Sequence, residues 1–155
     1  MPFTLTSPSI RDGASVPPRH ACTGENLSPP LSWQGAPEGA KSFALVCADP
    51  DAPSGTFRHW AVFDIPGTAA SLDEALPPSP DLPDGSRQAV NDFGKPGYGG
   101  PCPPKGHGMH HYHFRLTALD VERLDLPARP TCRQVEAAVR SHALAAVEIV
   151  GLFER

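Results

Sequence analysis

Lys41-Ser42-Phe43-Ala44-Leu45-Val46-Cys47-Ala48 is a near-continuous apolar run that stops at Asp49-Pro50-Asp51-Ala52-Pro53. A short apolar run closed by turn residues reads as a central strand covered on both faces. His59-Trp60-Ala61-Val62-Phe63-Asp64-Ile65 repeats the pattern and ends at Pro66-Gly67. Two buried strands in succession put a sheet at the centre of the fold.

Moving outward, Phe3-Thr4-Leu5 and Pro30-Leu31-Ser32-Trp33 read as short strands on the N-terminal side. On the C-terminal side, Pro66 to Arg87 is a long proline-rich connection with a helical turn expected around Leu72–Leu76, and Ala89–Phe93 is a further short strand. Met109 to Leu119 alternates: His110, Tyr112, Phe114 and Leu116 share one face, and His111, His113, Arg115 and Thr117 the other. The first face is the largely apolar one, so His110 and Tyr112 are expected to point inward. Thr131 and Gln134 have capping-box spacing, and Val135, Ala138, Val139 and His142 follow as the stripe of a helix packed on a sheet. Val147–Phe153 is rich enough in β-branched residues for a strand, although local signals also let the helix run into it. The reading is mainly β and antiparallel, with two sheets and one helix in a single domain over residues 1–155.

The 155 residues carry net charge −4, with 39% hydrophobic and 19% charged side chains. A chain of this length typically buries about 68–70% of its unfolded surface, enough for a proper core. No broad basic surface favours nucleic acid, and no apolar run approaches the roughly 20 residues of a spanning helix. Met1-Pro2-Phe3-Thr4-Leu5-Thr6 lacks the charged and apolar regions of a leader, so no export or membrane insertion is expected. Cys22, Cys47, Cys102 and Cys132 form no Cys-x-x-Cys pair, and they read as reduced thiols in a cytoplasmic protein. Twenty prolines and fourteen glycines cluster between the apolar segments, the pattern of strands joined by long ordered loops.

Two stretches can carry chemistry. Asp49 at a strand end and His59 opening the next strand could form a carboxylate–imidazole pair, with a raised imidazole pKa and a cationic donor for an anion. The same Asp-Pro-Asp also reads as a plain turn whose carboxylates accept local amides. The segment Gly94 to Gly108, followed by His110 and Tyr112, could turn backbone amides toward an anion, but it matches no phosphate-loop motif. His107, His110, His111 and His113 crowd one segment, and His111 and His113 share a strand face from which they could ligate zinc, yet there is no His-Glu-x-x-His and no third ligand at a recognisable spacing, so neither metal nor cofactor is expected. Gly-x-Ser-x-Gly is absent, and neither Ser54 nor Cys102 has a base beside it in sequence.

Four segments together resemble the phosphatidylethanolamine-binding protein family, in its bacterial and archaeal, Raf-kinase-inhibitor-like branch. They are Glu25 through Trp33, Asp49-Pro50-Asp51-Ala52-Pro53-Ser54, His59-Trp60, and Gly99-Gly100-Pro101-Cys102-Pro103-Pro104-Lys105-Gly106 through His110-His111-Tyr112, in family order across most of the chain. The resemblance implies a large antiparallel sheet packed on a smaller one, with a pocket for phosphate, phosphorylated headgroups or small carboxylates. In it, Asp49 and His59 would form one wall, His110 and Tyr112 the facing strand, and Pro103, Pro104, Gly99 and Gly100 the rim. It also implies a helix near Cys132–Ala143 followed by the Val147–Phe153 strand. Mammalian members carry a further C-terminal helix beside the pocket; ending at Arg155, this chain is expected to have a more open one, with the exposed rim as the interface of a homodimer. Nothing in it indicates a kinase partner.

The reading that follows is a binding or regulatory module for a small anion, without evident catalysis. A hydrolase with His59 or His110 as base and Asp49 as its orienter is the alternative. A third is a protein-interaction or inhibitor role through the loops.

Overall fold

The computed structural model describes residues 1–155. Its elements are β1 (Thr4–Thr6), β2 (Leu31–Gln34), β3 (Ser42–Asp49), β4 (Phe57–Pro66), β5 (Ser71–Leu72), β6 (Arg87–Gln88), β7 (His110–Leu119), α1 (Cys132–Arg140) and β8 (Ala143–Phe153), with a 3-10 turn at Pro18–His20. A three-stranded sheet, β1-β2-β5, faces a five-stranded one ordered β6-β4-β3-β7-β8, and every pairing is antiparallel. The mainly β architecture expected from the apolar runs is therefore the observed one.

Strand β3 is central and covered on both sides. Phe43, Leu45 and Cys47 join Leu5, Leu31, Trp33 and Leu72 of the small sheet in the inter-sheet core, while Ala44 and Val46 pack with Val135 and Val139 of α1 on the opposite face. Each buried Leu, Val or Phe side chain stabilises by about 1.5–3 kcal/mol relative to exposure, which is why the doubly covered strand is apolar almost throughout. Tyr112, Phe114 and Leu116 point into the inter-sheet core, as the alternation requires. The capping box is formed: Thr131 accepts from the Gln134 amide and the Gln134 side chain accepts from the Thr131 amide.

Three local expectations are corrected. The segment around Leu72–Leu76 is not helical: Ser71–Leu72 pairs with β2, and that tertiary pairing overrides the local helical pattern. The strand expected at Ala89–Phe93 lies at Arg87–Gln88 instead, leaving Val90 in isolated bridges to Pro96 and Thr131. The helix stops at Arg140, not Ala143, because Ala143 already begins β8 and pairs with Leu119.

The cysteines are corrected too. Cys22 and Cys102 form a disulfide with Cα atoms 5.4 Å apart, whereas Cys47 and Cys132 are free and buried. The reduced-thiol reading holds only for the buried pair, and with it goes the support that cysteine spacing lent to a cytoplasmic location. No helix is long and apolar enough to cross a membrane.

Candidate functional site

The ends of three neighbouring strands build one cavity. Asp49 closes β3, His59 lies near the start of β4 at a register shift between Cys47 and Ala48, and His110 opens β7 with Tyr112 two residues on. These four line a cavity of about 200 Å³ with Phe57, Phe93, Ala52, Pro53, Cys102, Pro103 and Pro104. Larger clefts of about 500 and 550 Å³ lie elsewhere, but only the small cavity gathers buried titratable side chains.

Asp49 is 3% exposed and His110 1%, and His110 Nδ1 lies 2.7 Å from Asp49 Oδ2. The other carboxylate oxygen of Asp49 accepts the Asp51 amide at 2.8 Å. Burial of such a carboxylate is tolerable only because both oxygens are bonded. Because a carboxylate only accepts, the proton between Asp49 and His110 sits on Nδ1. The remaining ring nitrogen, Nε2, meets His107 Nδ1 at 2.6 Å.

His59 is held differently. Its Nδ1–H donates to Gly99 O at 2.7 Å, and the Gly99 amide donates back to His59 O at 3.0 Å. Burial lowers its pKa below the ordinary histidine value; the Gly99 carbonyl and the Asp49 charge oppose that shift without reversing it. The expected Asp49–His59 pair with a cationic imidazole is thus corrected: the partner of Asp49 is His110, and His59 is biased toward the neutral form, with Nε2 free of protein partners. Tyr112 packs edge-on against His59 at 5.3 Å and near-parallel to His110 at 6.4 Å between centroids. Burial raises its pKa, so the phenol stays protonated. Tyr98 donates its hydroxyl to His20 O, whereas the Tyr112 hydroxyl has no partner within the chain and is left to the cavity.

The family model described as PBP, phosphatidylethanolamine-binding protein, matches residues 6–154. The chain belongs to the phosphatidylethanolamine-binding protein family. It is similar to a UPF0098 protein of Methanothermobacter thermautotrophicus, 47% identical over 99% of both chains, and to one of Aquifex aeolicus, 46% identical over 96% of this chain and 86% of the relative. Among solved structures it superposes on Escherichia coli YbcL, described as a new member of the mammalian PEBP family, with TM-score 0.92 and 37% identity over 99% of this chain and 98% of that one. A putative phosphatidylethanolamine-binding protein homologue of Chlamydia trachomatis gives TM-score 0.85 and 33% identity over 99% and 97%.

In this member of the family, Asp49, His59, His110, Tyr112, Pro103 and Pro104 all come together at the cavity. Gly99 and Gly100 do not reach its wall. The Gly100 amide donates to Asn26 Oδ1 at 2.8 Å, so neither glycine amide is turned to an anion. Both positions need glycine for close packing: a Cβ would fall 2.4 Å from the Phe93 ring at Gly99 and 2.1 Å from His20 O at Gly100. His111 and His113, the pair weighed as zinc ligands, turn to separate carboxylates, Asp51 and Glu148. The His111 hydrogen bonds lower the Asp51 pKa. Sequence reasoning missed Phe57 and Phe93, whose rings stack edge-on at 4.7 Å as an apolar wall; no local pattern separates such a wall from ordinary core aromatics.

Proposed function

We propose that this pocket binds a small oxyanion, a phosphate, phosphorylated headgroup or carboxylate, in a binding or regulatory module that performs no catalysis. One observation carries the reading: the buried Asp49–His110 pair, the unpartnered Nε2 of His59 and the unpartnered Tyr112 hydroxyl converge on a cavity of about 200 Å³. A phenol donates to an oxyanion directly. The neutral His59 does so only after gaining a proton, so anion binding is coupled to proton uptake and strengthens as pH falls, by up to about tenfold per pH unit.

Isothermal titration with phosphate, O-phosphorylethanolamine and acetate at pH 6 and pH 8 tests this. Acetate keeps one charge throughout, so weaker acetate binding at pH 8 reports on the protein alone. Absence of heat with all three anions at both pH values would end the reading.

A hydrolase in the same pocket is the weaker alternative. Cys102 is tied into the disulfide and cannot serve as nucleophile, and the Nε2 of His110 is covered by His107. Turnover of an ester panel that Asp49→Asn abolishes would favour it. An interaction role would use the Pro66–Arg87 connection or, for a homodimer, the pocket rim; partner capture that survives His59→Gln would favour it. The expected cytoplasmic location must accommodate Cys22–Cys102, since disulfides persist mainly in oxidising compartments.

A further inference from the structure

His110 has two ring nitrogens, and in this structure neither is free. Nδ1 is committed to Asp49 Oδ2 at 2.7 Å, and Nε2 faces His107 Nδ1 at 2.6 Å with the rings inclined by 61°. Two facing imidazole nitrogens share one proton, whichever of them carries it, so His110 Nε2 has no capacity left for a ligand. The two histidines differ in burial. His110 is locked in β7, whereas His107 is exposed on the loop between Gly106 and Gly108. Those glycines sit at φ 75° and 97°, and a Cβ at either would meet nothing within 4 Å. The His107 backbone is tied by its amide to Pro104 O, so rotation of the side chain alone uncovers His110.

We propose that His107 gates His110 from the edge of the pocket: it occupies the one nitrogen of His110 not held by Asp49, and an entering oxyanion displaces it, accepting the Nε2 hydrogen where both His110 nitrogens are protonated or, as a protonated phosphate, donating its own O–H to a bare Nε2. This rests on the reading that the pocket takes an oxyanion, and adds that the empty protein holds its second imidazole closed by a competitor from its own chain. The competitor is one hydrogen bond with little else behind it. Its removal is expected to tighten binding roughly two- to tenfold, the range that one net hydrogen bond represents.

The test is isothermal titration of inorganic phosphate at pH 6 into the full chain and into His107→Ala and His110→Gln. In parallel, imidazole 1H–15N spectra of the unsubstituted chain are recorded with and without phosphate. The expected result is tighter binding by His107→Ala, loss of binding by His110→Gln, and movement of the His107 ring signals toward those of a solvated histidine on phosphate addition. His107 is exposed, so an unchanged thermal midpoint verifies that its variant is folded. Equal or weaker binding by His107→Ala, with the unsubstituted chain binding and His110→Gln silent, overturns the gate and leaves the oxyanion site standing. Phosphate binding by none of the three proteins removes the site and the gate together.

Discussion

Asp49 and His110 lie 61 residues apart in the chain and 2.7 Å apart in the fold, each almost fully buried and each the other's partner. The pair is held by backbone geometry, since β3 and β7 are adjacent antiparallel strands whose ends bring the two side chains together. Truncating Asp49 would strand the His110 Nδ1 donor and the Asp51 amide at once. Asp49→Ala is therefore expected to cost about 1–3 kcal/mol of stability, whereas Asp49→Asn, which keeps an acceptor oxygen, should cost less. Urea unfolding midpoints decide it, and an unchanged midpoint for Asp49→Ala would show that the pair does not hold the fold.

This pairing also marks where sequence reading stops. Asp49 has a histidine ten positions away at His59 and another across the sheet at His110, and proximity along the chain favours the wrong one. The long strands are legible because burial on both faces imposes continuous apolar runs, as in Phe43–Cys47, and burial on one face imposes the alternation of His110–Leu116. Ser71–Leu72 and the start of β8 at Ala143 are not legible: two residues cannot show a period, and Ala143-Leu144-Ala145-Ala146 favours a helix until pairing with β7 overrules it. The Cys22–Cys102 bond spans a sequence separation of 80, beyond any local signal.

His59 makes stability depend on pH with a definite sign. Its folded pKa lies below the ordinary histidine value of about 6.5, chiefly through burial, so the unfolded chain binds a proton that the folded one resists. Stability is then full above about pH 6.5 and declines as pH falls below it. His59→Gln, which retains a donor for Gly99 O, should flatten that decline. Thermal midpoints from pH 5 to pH 8 for both proteins give the comparison; parallel curves would mean that His59 is not the group responsible.

Gly100 predicts a packing defect reaching the site from behind. A methyl group there would press on His20 O and Asn26 Oδ1, and Asn26 is itself held at φ 59° while accepting the Gly100 amide. Gly100→Ala must shift the backbone that adjoins Gly99, the anchor of His59. The expected outcome is a lower thermal midpoint together with weaker anion binding. A variant as stable and as tight as the unsubstituted chain would show that the loop yields without disturbing His59.

The cysteines offer a test that separates rim from core. Cys102 lines the cavity and is bonded to Cys22 across a sequence separation of 80, a loop whose closure contributes up to about 4.5 kcal/mol in the chain-entropy account. Cys47 and Cys132 are buried in the two apolar clusters, and burial pushes their thiols up, that of Cys132 to about 12, so little reactive thiolate forms at either. Iodoacetamide is thus expected to label no cysteine in the oxidised native protein, Cys22 and Cys102 after mild reduction, and all of them only after unfolding. Reduction should also lower the denaturant midpoint and weaken anion binding, because the Pro103-Pro104 rim loses its covalent tether and keeps only hydrogen bonds such as that from Arg155 to Pro103 O. Peptide mapping by mass spectrometry distinguishes the sites: labelling of Cys47 or Cys132 before the others would show that the core opens more readily than the rim, the reverse of what their burial requires.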